Sequence, residues 1–220
     1  PKAALKKYGG RPLRTEYCHE IGLRLLVGSL VSASARHDMG TAVKFAHSTD
    51  HYFRVYATVQ HGGTKASQAV DEIGFIAHCF HCLHREVSTR VTSIAPNCRI
   101  CGHRNALAGP LWLGKLHEKE FCRQMLDLVN AKQLGKRNRI QRLLGMVLRE
   151  IENVPTYYRV DRLSDRFQTR TPKPETVVKK LQEKGYSSSL THFHGYGVKT
   201  DADPKILEQI IRELSQKPCA

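Results

Sequence analysis

The sequence predicts an α+β protein with a four-cysteine zinc element and a winged-helix-like C-terminal domain. Three observations lead to this prediction. Apolar residues recur at helical spacing over residues 15–36 and again beyond residue 118. Short stretches of alternating apolar and polar residues, at residues 42–60 and near residues 187–200, indicate strands. Two Cys-x-x-Cys pairs with fifteen residues between them have the spacing of a four-cysteine zinc site.

The first part of the chain is predicted to hold one helix and two strands. Residues 1–14 carry five cations and no acid, which favours a basic loop or arm. Thr15 is a plausible N-cap for the helix that follows. Strands are predicted at residues 42–47 and 51–60. In the second strand, one set of alternating side chains should face the core: Phe53, Val55, Ala57 and Val59.

The other face of the second strand is a candidate RNA contact. Tyr52 and Tyr56 flank Arg54 at alternating positions. Aromatic rings can stack on bases, and a guanidinium group can hold a phosphate. An ordinary half-exposed strand would show the same pattern, because tyrosine is amphipathic. Tyr52 and Arg54 are therefore candidates on pattern alone.

The metal ligands are predicted to be Cys79, Cys82, Cys98 and Cys101. Two residues between paired cysteines make a tight knuckle whose thiolates both face one tetrahedral ion. Gly102 suits the second knuckle, since the turn there needs a residue that tolerates positive φ. A full cysteine set leaves no open position for water or substrate, so the zinc should be structural. Redox pairs or free buried thiols are the alternative.

The surroundings of the cysteines complete this element. Four nearby histidines could replace a cysteine but are expected to be bystanders: His78, His81, His84 and His103. A strand at residues 73–77 should lead into the first knuckle. Residues 86–94 should form the hairpin of a zinc ribbon, and residues 106–113 an extended segment that leaves the second knuckle.

The C-terminal part is predicted to be helical with a two-stranded wing. Helices should begin near residues 118, 138, 160 and 175, followed by strands at residues 187–194 and 196–200. A last helix should run to residue 214. Three helices followed by a two-stranded wing are the order of a winged helix.

The formal net charge of +15 indicates a polyanionic partner, RNA or DNA, although a merely soluble basic protein is the plainer alternative. Residues 132–184 hold 14 Lys or Arg against six acids. One group of candidate contacts follows the first C-terminal helix, and a second flanks the helix expected near residue 175, which would be the recognition helix of a winged helix. They are Lys136, Arg137, Arg139, Arg142, Arg170, Lys173, Lys179 and Lys180.

Several function classes are disfavoured. The chain has no Gly-rich phosphate loop and no pair of carboxylates in a catalytic setting. It has no apolar run of the ~20 residues that span a bilayer and no secretory signal. The remaining cysteines, Cys18, Cys122 and Cys219, are scattered, which favours a reducing, cytoplasmic location.

The chain resembles the tRNA guanine-N2 dimethyltransferase family, which modifies guanine 26. The resemblance runs through the whole chain in the family's order. It rests on Tyr8-Gly9, Pro12, residues 14–24 (RTEYCHEIGLR), 50–55 (DHYFRV), 78–82 (HCFHC), 109–114 (GPLWLG), 191–193 (THF) and 197–201 (GVKTD). One departure is Leu190, where similar sequences usually carry an Arg before Thr-His-Phe.

The resemblance implies that these residues are the C-terminal part of such an enzyme, and the first residue, Pro1, fits a fragment. Residues 1–61 would be the closing helix and β-hairpin of a Rossmann-like methyltransferase domain, 62–116 the zinc-ribbon-like element and 117–220 a winged-helix-like tRNA-binding domain. S-adenosylmethionine and the catalytic residues would belong to the missing N-terminal half. His192 and Lys199, within the similar stretches, join the candidate RNA contacts.

Mono- and dimethylation of an exocyclic guanine amine is the implied reaction of the whole enzyme, and these residues alone should be inactive. One rival hypothesis is a free-standing zinc-ribbon and winged-helix regulator that binds DNA. Another is a ribosome- or RNA-associated structural protein.

Overall fold

A computed structural model describes residues 2–150 and 154–216, and the chain forms two compact units, Pro1–Glu118 and Lys119–Ala220. Residues 62–116, predicted as a zinc element of their own, lie in the same unit as residues 1–61. The predicted three-part division remains a prediction. Cys219, one of the scattered cysteines, lies outside the described residues.

The first unit has three helices and five strands within its described residues. They are α1 (Lys2–Tyr8), α2 (Cys18–Ala35), β1 (Met39–Thr49), β2 (Tyr52–His61), α3 (Gly63–Asp71), β3 (Ile73–His78), β4 (Arg85–Ser88) and β5 (Ala106–Trp112), with a 3₁₀ turn at Val91–Ser93. β1 and β2 form an antiparallel hairpin. The other three strands form an antiparallel sheet in the order β4-β3-β5.

Helix α2 is the central element of this unit. It packs against β1 and also against β5, and its apolar residues are buried around most of its circumference. Gly28 permits the close approach to β5, because a Cβ there would lie 3.1 Å from the backbone nitrogen of Trp112. The small and apolar composition of residues 18–35 therefore produces a helix buried on more than one side.

A buried ion pair fixes α2 against the end of β5. Arg24 and Glu20 are 1% and 0% exposed, and Arg24 Nη2 lies 2.9 Å from Glu20 Oε1. Arg24 Nη1 donates to the carbonyl oxygens of Trp112 and Gly114, each at 3.0 Å. A buried guanidinium needs such acceptors, because removing it from water is otherwise strongly unfavourable.

Two predictions for the start of the chain were wrong. Residues 2–8 form helix α1 instead of a loop, and two of the basic residues, Lys6 and Lys7, lie in its last turn. Helix α2 begins at Cys18, with Tyr17 and not Thr15 at the N-cap position and no side-chain capping hydrogen bond. Tyr17, the residue at the N-cap position, is 0% exposed and so lies in the core.

Strand β2 does not bury the face that its alternation predicts. Phe53 is 37% exposed and Val59 is 42% exposed, and only Val55 and Ala57 are half-buried. β2 pairs with β1 alone in the described part of the chain, so little packs over it. Alternation shows which residues share a face of a strand, but a second layer decides whether that face is covered.

The predicted zinc-ribbon hairpin at residues 86–94 was wrong in its pairing. β4 pairs back onto β3, with Ala77 opposite Glu86 and His78 opposite Arg85, so the hairpin closes around the first cysteine pair. β5 follows the second pair and adds to the other edge of β3. The knuckle itself is the turn, because its backbone already reverses the chain.

The second unit has five helices and three short strands among its described residues. They are α4 (Lys119–Ala131), α5 (Arg137–Arg149), β6 (Tyr158–Arg159), α6 (Val160–Phe167), α7 (Pro174–Glu183), β7 (Ser188–Leu190), β8 (Gly197–Thr200) and α8 (Pro204–Gln216). The strands form an antiparallel sheet in the order β6-β8-β7. The sequence did not predict β6, which has two residues, too few for a visible alternation.

The core of the second unit is aliphatic and comes from several helices. Its fully buried side chains include Leu144, Val160, Leu181, Leu207, Ile210 and Ile211. Pro174 occupies the first turn of α7, where its fixed φ and missing amide proton suit a helix start. In the described ranges of both units, none of the helices has the length and apolar content needed to cross a membrane.

We expect Arg24→Met to lower the free energy of unfolding by about 3–5 kcal/mol, because Glu20 and two carbonyl groups would lose a buried partner. Urea denaturation followed by circular dichroism measures the change. Arg212→Met is the matched control, since Arg212 pairs with Glu208 at the same i, i+4 spacing but is exposed. Its expected change is below ~0.5 kcal/mol. Equal effects of the two variants would contradict a structural role for the buried pair.

Candidate functional site

The sulfur atoms of Cys79, Cys82, Cys98 and Cys101 form one cluster. All four lie within 4.8 Å of one another, and the Cys79–Cys101 and Cys82–Cys98 sulfurs are 3.4 and 3.5 Å apart. Sulfurs bound to one tetrahedral ion at ~2.3 Å would be about 3.8 Å apart. The donor set and its spacing therefore fit a metal ion, and the four predicted ligands are brought together.

The two cysteine pairs lie on two separate backbone turns of the same kind. In the first, the amide of Cys79 donates to the His84 carbonyl at 2.9 Å, and the amide of Leu83 donates to the Cys79 carbonyl at 2.8 Å. In the second, the amide of Cys98 donates to the His103 carbonyl at 2.7 Å, and the amide of Gly102 donates to the Cys98 carbonyl at 2.8 Å. The two knuckles thus have one hydrogen-bond pattern, repeated across the cluster.

Both knuckles place the residue after their second cysteine in the left-handed region. Gly102 has φ of +74°, as predicted from its lack of a Cβ. The equivalent residue in the first knuckle is Leu83, with φ of +64°. Sequence reasoning missed Leu83, because leucine gives no signal for a conformation that its Cβ disfavours.

Backbone amides face the sulfurs. Burial raises the pKa of Cys79, but the amides of Cys82 and His81 and the Cys101 thiol more than offset this and lower it to about 7. Burial, followed by the neighbouring thiols, raises the pKa of Cys82 to about 12. Four adjacent thiolates would repel one another, so a fully deprotonated cluster needs a positive ion among the sulfurs.

The four histidines near the cysteines differ in their contacts. His78 is buried against the Phe80 ring, with its pKa lowered to about 3 by burial and then by Arg85, and His84 accepts a hydrogen bond from Arg99 Nε at 3.2 Å. His81 and His103 stack with ring centres 3.6 Å apart. Their nitrogens also lie within 4.8 Å of the Cys101 sulfur, as a second donor group that shares this cysteine.

Tyr52 and Arg54 lie together on the surface of the first unit. The Arg54 guanidinium stands 4.8 Å from the centre of the Tyr52 ring, and Tyr52 and Tyr56 are each 45% exposed. Hydrogen bonding to Tyr56 and then the charges of both tyrosines raise the pKa of Arg54 above its ordinary value. The strand presents an arginine between two exposed rings, an arrangement able to bind stacked bases and a phosphate.

The basic candidates around α5 lie on the second unit's surface. Lys136, Arg137, Arg139 and Arg142 are exposed at the start and first turns of that helix. The Arg137 guanidinium donates to the Asn130 carbonyl at 2.9 Å, which holds the α4–α5 connection. These cations stand near a helix N-terminus, where the helix dipole does not favour them.

The candidates around α7 differ in their availability. Arg170, Lys173 and Lys179 are exposed. Lys180 Nζ lies 3.3 Å from Glu183 and 3.4 Å from Glu213, so part of its charge is used inside the domain. Arg170, Lys173 and Lys179 are therefore the cations of this region best placed for a solvent-side partner.

Lys199 and His192 are directed to the interior. Lys199 is 2% exposed and its Nζ lies 3.1 Å from Glu150 Oε1. His192 has a buried side chain, and its Nδ1 and backbone amide lie 2.7 and 3.1 Å from Glu150 Oε2. Thr191 Oγ1 donates to Glu150 Oε1 at 2.9 Å. Glu150 was not predicted from the sequence, because these partners lie more than 40 residues away.

Comparison with known proteins places this geometry in a family. The family model of N2,N2-dimethylguanosine tRNA methyltransferase matches residues 1–212. The chain belongs to this family. It is similar to a tRNA (guanine(26)-N(2))-dimethyltransferase of Methanosphaera stadtmanae, with 39% identity over 96% of this chain and 55% of that protein. The corresponding enzyme of Methanobrevibacter smithii is 34% identical over 96% of this chain and 55% of that protein.

A solved structure of the family has the same fold over these residues. It is the complex of Trm1 from Pyrococcus horikoshii with S-adenosyl-L-methionine, with a TM-score of 0.85 and 30% identity over 96% of this chain and 54% of that one. The chain spans about half the length of the family members that it matches. The resemblance to this family inferred from the sequence is confirmed.

We expect Gly102→Ala to destabilise the second knuckle by about 1–2 kcal/mol, because φ of +74° disfavours any Cβ. The added Cβ would meet no atom within 4 Å, so the effect isolates the backbone term. The rate of metal loss to a chelator and the thermal unfolding midpoint measure it. Gly135→Ala is the control, since Gly135 also has open space around it but lacks positive φ. A Gly102→Ala variant as stable as the Gly135→Ala variant would contradict the proposed turn geometry.

Proposed function

We propose that this chain is the tRNA-binding, zinc-braced C-terminal part of an S-adenosylmethionine-dependent enzyme that mono- and dimethylates the N2 amine of guanine 26 in tRNA. The observation that carries the proposal is the family match over residues 1–212, combined with coverage of about half of each relative. The net charge of +15 supports an RNA substrate.

The zinc ion is proposed to be structural and held by Cys79, Cys82, Cys98 and Cys101. When bound, it supplies a dication that makes four adjacent thiolates stable. The cysteines themselves tie the end of β3 and the start of β4 to the segment that precedes β5. Because all four positions are filled by sulfur, these residues hold two parts of the chain together and do not act on a substrate.

The second unit is proposed to be winged-helix-like. Its order after α4 is helix, strand, helix, helix, strand, strand, with sheet order β6-β8-β7. Helix α7 has the place of a recognition helix, and β7 and β8 have the place of the wing. Arg170, Lys173 and Lys179 border this helix on the exposed side. Lys199 and His192 leave the proposed contact set, because both bind Glu150 in the interior.

The division of labour follows from the residues present. S-adenosylmethionine is proposed to bind outside this segment, in an N-terminal methyltransferase half. An exocyclic amine within a folded tRNA must be exposed or flipped before a methyl group can reach it. This chain would hold the tRNA by phosphate contacts and by stacking at Tyr52, which positions the base for the other half. A cytoplasmic location rests on cysteine usage and stays a prediction.

The zinc assignment predicts about one zinc per chain in metal analysis. Cys79→Ser and Cys98→Ser should each lose the metal and unfold more easily, because a three-thiolate site no longer closes the tetrahedron. Cys18→Ser is the control, since Cys18 is exposed and lies outside the cluster. Normal zinc content in both cluster variants would refute the assignment.

The tRNA assignment predicts salt-sensitive binding of folded tRNA and no methyl transfer from labelled S-adenosylmethionine by these residues alone. Competition between unlabelled tRNA and duplex DNA in a fluorescence anisotropy assay tests the substrate class. Turnover by the isolated chain would contradict the division of labour. A preference for duplex DNA would favour the second candidate, a free-standing nucleic-acid-binding regulator, which the strand and helix order of the second unit also permits.

A further inference from the structure

A polar groove of about 450 Å³ lies between α1 and α2 in the first unit. The exposed side of α2 contributes its small residues, and Ile73 and Pro110 complete the lining at the sheet. The polar and aromatic side chains that line it are Lys6, Lys7, Tyr8, Ser29, Ser32 and Arg36. Of the candidate RNA contacts considered above, none lies in this groove.

The groove is built by a fixed turn after α1. Gly9 has φ of +72°, and a Cβ on Gly10 would lie 2.3 Å from the Pro110 carbonyl oxygen, so both positions require glycine. Arg11 then forms a two-hydrogen-bond bridge with Gly109, each bond 2.9 Å long. The chain is thereby anchored beside β5, and α1 is held as one wall of the groove.

Helix α1 gains little from packing. None of its described residues is buried, and Leu5 and Tyr8 are each 41% exposed. A seven-residue helix is not stable by propensity alone, so its position depends on the anchored turn behind it. The result is a short basic helix that presents two lysines and a tyrosine beside the groove.

The lining has the chemistry of a phosphate-binding surface. Lys6, Lys7 and Arg36 are exposed cations, and no acid is among the described residues that line the groove. Ser29 and Ser32 supply hydroxyl donors from successive turns of α2. A single small anion would leave part of this charge unneutralised, whereas a polynucleotide brings one charge per phosphate along its length.

We propose that this groove binds the RNA phosphodiester backbone, with Lys6, Lys7 and Arg36 on phosphates and the Tyr8 ring against a sugar or base. The inference rests on the proposed function as a tRNA-binding chain and adds a contact surface in the first unit. It extends the RNA-binding residues beyond β2 and the second unit.

The test compares two triple variants of this chain for binding to a labelled, folded tRNA transcript over a salt series. The groove variant is Lys6→Gln, Lys7→Gln and Arg36→Gln. The matched control is Lys65→Gln, Arg123→Gln and Lys205→Gln, which removes the same charge from exposed residues outside the groove. We expect the groove variant to bind about tenfold more weakly and to reduce the slope of log K against log salt by roughly 2, with a far smaller change for the control.

A second measurement uses the unaltered chain. Acylation of lysines in the presence and absence of tRNA should show protection of Lys6 and Lys7 and none of Lys65. Binding of inorganic phosphate, followed by thermal shift in both triple variants, distinguishes a small-anion site from an RNA surface.

Each outcome decides the inference. Equal loss of affinity in the two triple variants, or unprotected Lys6 and Lys7, overturns the groove as an RNA surface and leaves the proposed function intact. Loss of phosphate binding in the groove variant with unchanged tRNA affinity overturns it in favour of a small-anion site. Absence of tRNA binding by the unaltered chain overturns the proposed function itself, and the groove inference with it.

Discussion

One buried cation ties helix α2 to the sheet that carries the cysteine cluster. Arg24 in α2 is satisfied by Glu20 and by the carbonyl oxygens of Trp112 and Gly114, so these hydrogen bonds favour the observed alignment of the helix on the end of β5. β5 pairs with β3, and β3 ends in the first cysteine knuckle. A guanidinium with fixed donor directions specifies a position more sharply than apolar contact does. The apolar face of α2 supplies the burial, and Arg24 sets the alignment.

The two cysteine knuckles have the same backbone conformation although their sequences differ. Each uses an amide-to-carbonyl pair across the turn and a residue with positive φ, although one position is Gly102 and the other is Leu83. Leucine in that conformation is unfavourable by roughly 1–2 kcal/mol, so the surrounding hydrogen bonds must offset that free energy. Local sequence preference is therefore overruled where several stronger constraints agree.

The cations of the chain divide into those buried in ion pairs and those exposed on the surface. Arg24 and Lys199 are buried and paired with Glu20 and Glu150, and the Arg85 guanidinium lies 4.3 Å from the centre of the Tyr17 ring while it pairs with Glu16. The cations of the α5 start, of the α7 border and of the α1 groove remain on the surface. A total of +15 does not separate these two groups, because burial is a property of the tertiary structure.

The sequence by itself determined which four cysteines cluster, the family and most helices, since these depend on spacing and periodicity along the chain. Cys79, Cys82, Cys98 and Cys101 were singled out by their spacing, and the helix expected near residue 175 is α7. Tertiary structure alone decided that β4 returns to β3, that Phe53 stays exposed and that Lys199 turns to Glu150. These outcomes depend on which distant segment lies opposite a residue. Only the folded chain sets that neighbour, and with it the free energy of burying a strand face or a charge.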